Sequence, residues 1–438
     1  QITATLQEFL GASPPKNPKG LKRRVYELAE NVITLFWCLS ETSNKALSAI
    51  NDAKLTPFLM AFLMSRDKIP LNTVLAAAQC LYVLSDDNDP TANFIRKTQA
   101  YTSCLLGIVA SVEADNSTDS ANAMAIDKPT DSEKRMSLKV LACGILKNIS
   151  PLPTIGPTPP EDLDKKITLP LLISLLDYSP QNAATRVQEL RTAETVSRHP
   201  CCVNDSIPKP DHKSETELEL ESIESQLRTL TLALEVLTGV CANLPDPEPE
   251  VVEEIDMDDE DNDDEVIEEE PEQKYTPATS QTDSLSLIAT LTRPLLLLAR
   301  PTALSFPQSS APPIHPPTTS ALGTIHVRAL ECLNNLFLGI HTEQGQLPEG
   351  AAKQATEVWK DVWSVLAAVG KQAEWTVGSG AEVRKEMWEI GVGVLWGLAR
   401  IGKGELANAE EVSALIEFCD WTNDEMIKVK CIGTLGCL

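Results

Sequence analysis

Apolar residues recur at three and four positions along most of this chain, as in Leu138, Leu141, Ile145 and Ile149, or Leu230, Leu234, Leu237 and Cys241. That period places them on one face of an α-helix. One phrase, apolar-x-x-small/Asn-apolar, closes such a stretch seven times. The copies are Leu35–Leu39, Cys80–Leu84, Ile145–Ile149, Val240–Leu244, Cys332–Leu336, Val394–Leu398 and Thr434–Leu438. Further apolar helices are expected between the phrases, at 55–64, 92–110, 167–176, 285–298, 355–369 and 411–418. The spacings from Leu39 to Leu84 and from Leu398 to Leu438 fall within the about 40 to 47 residues of HEAT and armadillo units. A lone hairpin cannot cover both of its apolar faces, whereas stacked neighbours bury a continuous core. The expected fold is all-α: residues 1–438 form one α-solenoid superhelix of about seven armadillo/HEAT-type repeats.

Polar excursions separate the helices at 114–134, 151–166, 178–213, 245–282, 301–324 and 342–350, and most of the 30 prolines lie there. Proline fixes φ and lacks a donor, so Pro157–Pro160 and Pro312–Pro317 read as extended loops. The excursions 178–213 and 301–324 are taken as Pro-rich insertions and 245–282 as an acidic one. Asp246 to Glu272 holds 17 acidic residues, with no Lys or Arg between Arg228 and Lys274. Self-repulsion at that density predicts a disordered segment. Tethered between two helices of one repeat, it is suited to hold a cationic partner near the solenoid. The candidate contacts are Glu253, Glu254, Asp256, Asp258, Asp259, Glu260, Asp261, Asp263, Asp264 and Glu265. An EF-hand is excluded because Asp256–Asp261 lacks the turn glycine at the sixth position.

The net charge is −26, with 63 acidic against 37 basic residues, which disfavours nucleic acid and anionic membranes and favours a basic protein partner. Five His and 5% aromatics are poor material for catalysis, metal sites or base stacking. No P-loop, dinucleotide fingerprint or nucleophile elbow occurs, so neither an enzyme nor a bound cofactor or metal is expected. Cys201 and Cys202, near His199 and His212, lack the spacing of a zinc site. Lys22-Arg23-Arg24 is one isolated basic cluster. Most of the 11 Cys sit singly in apolar stretches, Cys38, Cys80, Cys143, Cys241, Cys332 and Cys431 among them, and read as reduced, buried thiols of a cytosolic or nuclear protein. No apolar run is long enough for a membrane span.

Asn148, Asn243 and Asn335 share one place in the phrase. An amide donates and accepts, so such a row suits the backbone of an extended peptide, with capping of its own helix end as the alternative. The phrases Leu146–Ser150 and Cys241–Leu244 resemble the third helix of armadillo repeats, where that Asn lines a peptide groove, while Cys38, Val83, Gly397 and Cys437 depart toward HEAT units. With the acidic insertion after Leu244 and the closing Lys428–Gly436, the whole chain resembles the symportin family. That family comprises fungal transport adaptors and chaperones. The resemblance implies carriage of the two basic ribosomal proteins of the 5S RNP between cytoplasm and nucleus, without direct nucleic-acid binding. It also implies an import-receptor signal near the N-terminus. No basic stretch followed by Pro-Tyr is present, so that signal is expected outside these 438 residues. A karyopherin-like receptor or a general HEAT-repeat scaffold is the alternative.

Overall fold

The computed structural model describes residues 19–111, 129–152, 163–197, 213–242, 281–306, 312–339, 351–370, 380–402 and 406–438. Among these residues there are α-helices and one short π-helical turn, and no strand. In chain order the helices are α1 (Lys19–Thr42), α2 (Asn44–Asp52), α3 (Thr56–Met64), α4 (Leu71–Ser85), α5 (Asp89–Lys97), α6 (Gln99–Val109), α7 (Pro129–Asn148) and α8 (Leu169–Leu175), which continues the π turn Asp164–Thr168. There follow α9 (Pro180–Ser197), α10 (Glu215–Ala242), α11 (Gln281–Ala299), α12 (Pro316–Leu338), α13 (Ala351–Val369), α14 (Ala381–Gly402), α15 (Ala409–Trp421) and α16 (Glu425–Cys437).

Seven of these helices form a spine in which each packs on the next: α1, α4, α7, α10, α12, α14, α16. They are the seven that carry the repeated phrase. The apolar stripe of each is buried as its period demands, Leu138, Leu141, Ile145 and Ile149 on α7, and Leu230, Leu234, Leu237 and Cys241 on α10. Each fully buried aliphatic side chain stabilises its junction by about 1.5–3 kcal/mol. The remaining helices flank the spine, α3 on α4, α6 on α7, α8 and α9 on α10, α11 on α12, α13 on α14 and α15 on α16. Two buried clusters, Ala29 to Ile149 and Val140 to Cys431, meet on α7, where Tyr82 and Leu232 touch both. The all-α solenoid of stacked repeats stands as the sequence pattern predicts.

The units are not uniform. Early ones add a short helix, α2 before α3 and α5 before α6, in the armadillo manner, whereas α11/α12, α13/α14 and α15/α16 are two-helix hairpins in the HEAT manner. The single helix expected over 92–110 is split at Thr98, whose ψ of 94° is extended. The stretch 178–213, expected to be loop, contains the 18-residue α9. Pro180 opens that helix, where a missing N–H costs nothing. Its buried stripe of Ala183, Ala184, Val187 and Leu190 is made mostly of small residues, a faint signal in sequence. Likewise Pro316 and Pro317, read as extended, occupy the first positions of α12. The acidic segment 245–280 lies outside the described residues.

Candidate partner-binding surface

The phrase asparagines act between repeats. Asn148 Nδ2 donates from the end of α7 to the Tyr82 carbonyl and to Ser85 Oγ of α4, both at 3.2 Å. Asn335 Nδ2 donates from α12 to the Thr238 carbonyl of α10, also at 3.2 Å. The Tyr82 carbonyl lies in the last turn of α4, where carbonyls lack a backbone partner within their own helix, and it accepts from Ser85 Oγ as well, at 2.9 Å. Each amide N–H therefore ties a spine helix to its predecessor rather than capping its own helix end. Asn243 lies outside the described residues, as do Glu253, Glu254, Asp256, Asp258, Asp259, Glu260, Asp261, Asp263, Asp264 and Glu265.

A second relation recurs along the spine. The middle place of the phrase carries Tyr82, Asn334 and Trp396, and the place just before the next phrase is Gly144, Gly393 and Gly433. Each large side chain lies across the following helix, so close that a Cβ on the glycine would come within 2.5 Å of the Tyr82 ring, 2.3 Å of Asn334 Oδ1 and 2.7 Å of the Trp396 ring. Because Gly144 offers no side chain, Tyr82 crosses α7 and its hydroxyl donates to Glu235 Oε1 of α10 at 3.2 Å.

Glu235 belongs to a row of carboxylates that sequence reasoning missed. Burial holds its carboxyl above the usual range, Asp86 and Glu41 push it further up, and the Tyr82 bond and Arg328 oppose them. Burial also raises Asp86, with Asp87 adding to it, and raises Glu386, with Glu331 and Glu389 adding. Carboxylates near or on α1, α4, α10, α12 and α14 thus share one surface, with Arg328, ion-paired to Glu331 at 2.7 Å, among them. Their separation in sequence hides them, since only the stacking order brings Glu41, Asp86, Glu235, Glu331 and Glu386 into one field.

The buried thiols fit no reactive role. Burial pushes Cys80, Cys143 and Cys431 up to about 12, which leaves them protonated at neutral pH. Cys38, expected to be buried, is exposed on α1. Among the described residues, no group of three His, Cys, Asp or Glu is placed to hold a metal ion. No described helix is long and apolar enough to cross a membrane. A cleft of about 500 Å³ on the flanking side is lined by Leu176, Tyr178, Pro180, Arg293, Leu297 and Arg300.

Residues 286–438, nearly all of α11 through α16, match the family described as SYO1-like, TPR repeats. This part of the chain is symportin-like. The match falls on the two-helix hairpins, the geometry that TPR and HEAT units share. SYO1 is symportin, so the resemblance seen in the phrases and in Lys428–Gly436 meets the same family in this region. No curated protein matches the chain.

Proposed function

We propose that this repeat protein is an adaptor and chaperone that holds the basic ribosomal proteins of the 5S RNP during nuclear import and assembly, shuttling between cytoplasm and nucleus. The observation that carries the reading is the row of carboxylates from Glu41 to Glu386, set on a spine whose C-terminal hairpins are symportin-like. Ribosomal proteins present cationic RNA-binding faces, and a surface on which Asp86, Glu235 and Glu386 are held above their usual range gains by meeting cations. The acidic insertion joins the end of α10 to the start of α11, so its candidate residues act beside the same spine at high effective concentration. The protein works by binding rather than by catalysis and takes no cofactor. It contacts neither nucleic acid nor membrane.

The test measures the affinity of purified 5S RNP ribosomal proteins for the chain across a salt series, with rRNA added as competitor. Tight, salt-sensitive binding that RNA displaces supports the reading, because exposed charge pairs are screened beyond about 8 Å at physiological ionic strength. A ternary complex with RNA on the same protein face, or equal affinity for any basic protein, refutes it.

A further inference from the structure

The Tyr82–Glu235 pair has the form of a seat for a single cation. Tyr82 leaves α4, passes over Gly144 of α7 and ends against Glu235 of α10, so that three consecutive spine helices build one spot. The Tyr82–Glu235 hydrogen bond is solvent-exposed although the ring itself is largely buried. An aromatic ring beside a carboxylate is the pairing that guanidinium and ammonium groups seek, through the negative face of the ring and a charge-assisted hydrogen bond. Guanidinium is the better match, because its planar fork stacks on a ring and reaches a carboxylate at once.

Charges of both signs act on the spot. Asp86, just past the end of α4, and Glu41 on α1 add negative potential, while Arg328 on α12 acts in the opposite sense. Arg328 is already paired with Glu331 at 2.7 Å. The Tyr82 hydroxyl supplies Glu235 with one donor, and a carboxylate accepts several more.

We propose that Tyr82 and Glu235, held open by Gly144, form an anchor site for one arginine side chain of a protein partner. The proposal rests on the reading of the chain as a carrier of basic proteins and names the place where a partner side chain is fixed. It differs from a general acidic field in requiring a ring as well as a charge. The arginine neutralises Glu235 by ion pairing, with no covalent step, and its arrival returns the Glu235 carboxyl toward the usual range. Binding at mildly acidic pH therefore releases protons.

The experiment uses the full chain with all 17 carboxylates from Asp246 to Glu272 replaced by amides, which silences the insertion. Calorimetry then titrates a blocked hexa-arginine peptide, in buffers of different ionisation enthalpy, into this background and into Glu235→Gln, Tyr82→Leu, Gly144→Ala and the remote exposed control Glu417→Gln. Glu235→Gln is expected to weaken binding about tenfold and to abolish most of the proton release. Tyr82→Leu and Gly144→Ala, which leave the net charge intact, are expected to weaken it about threefold to tenfold. Glu417→Gln changes it less than about twofold. Circular dichroism of each variant verifies folding, and Tyr82→Phe, which keeps the ring, is expected to retain most of the affinity where Tyr82→Leu does not. Equal effects of Glu235→Gln and Glu417→Gln, or unchanged binding in Tyr82→Leu, overturn the anchor. The carrier reading fails separately, if the ribosomal proteins do not bind while hexa-arginine still responds to Glu235→Gln.

Discussion

His326 is wedged between two structural elements: one ring nitrogen, Nδ1, lies 2.6 Å from the Leu298 carbonyl at the end of α11, and the other, Nε2, lies 2.7 Å from Ser305 Oγ in the turn that follows. The carbonyl only accepts, so Nδ1 donates to it and Nε2 accepts from the serine hydroxyl, which fixes the neutral tautomer. Burial lowers the imidazole from 6.5 to about 4. The unfolded chain therefore binds a proton that the folded chain refuses between those values. This contribution to stability is complete above about pH 6.5 and is lost as the pH falls toward 4, about 3 kcal/mol over the window.

Thermal melts between pH 7.5 and 4.5 check it. The melting temperature is expected to fall on acidification, and His326→Gln is expected to flatten that slope while lowering the melting temperature at neutral pH. Glu235, Glu386 and Asp86 work in the opposite sense, since their raised carboxyls take up protons more readily in the folded state. Their neutralisation is therefore expected to steepen the acid loss, and a histidine variant with an unchanged slope contradicts the assignment.

Asn148 and Asn335 each spend their amide on the preceding repeat. Replacement by Ala is expected to cost about 1 to 2 kcal/mol at each position, because a carbonyl partner is lost between packed helices. Urea denaturation reads this directly. Peptide binding that weakens without any loss of stability is the outcome that would restore a groove role for these amides.

Gly397 and Gly107 separate close packing from mere helix propensity. A Cβ at Gly397 would sit 2.9 Å from Phe337 Cβ and 3.0 Å from the Phe337 carbonyl carbon, and backbone cannot swing aside. Gly397→Ala is expected to destabilise by about 1 to 3 kcal/mol. A Cβ at Gly107 meets nothing within 4 Å on the exposed side of α6, so Gly107→Ala is expected to stabilise by about 0.5 to 1 kcal/mol. Paired melts of the two variants should move in opposite directions.

Cys38 is exposed while Cys80 and Cys143 are buried. With a thiol-reactive aromatic disulfide under native conditions, Cys38→Ser is expected to remove one fast-reacting group and Cys80→Ser none. Equal losses would mean that α4 opens as easily as the surface of α1.

The spine was legible because its signal is repeated: seven phrases end seven helices, and large aliphatic residues at helical period leave one packing solution. The flanking helices were less so, since α9 buries alanines and opens on a proline that sequence reasoning takes for a breaker. The carboxylate row was invisible for a different reason. Glu41, Asp86, Glu235 and Glu386 belong to different repeats, and no single helix holds two of them. Asn148 was visible as a repeated residue but its role was not, because the Tyr82 carbonyl it binds belongs to another unit.

Three-helix units precede two-helix units, yet the spine packs helix on helix from α1 to α16 without interruption. Register is thus kept by the phrase alone and is indifferent to what lies between one phrase and the next. The flanking side accommodates whole extra helices and long polar tracts without breaking the stack, so the connections carry the irregularity of this architecture and the phrase-bearing spine its regular measure.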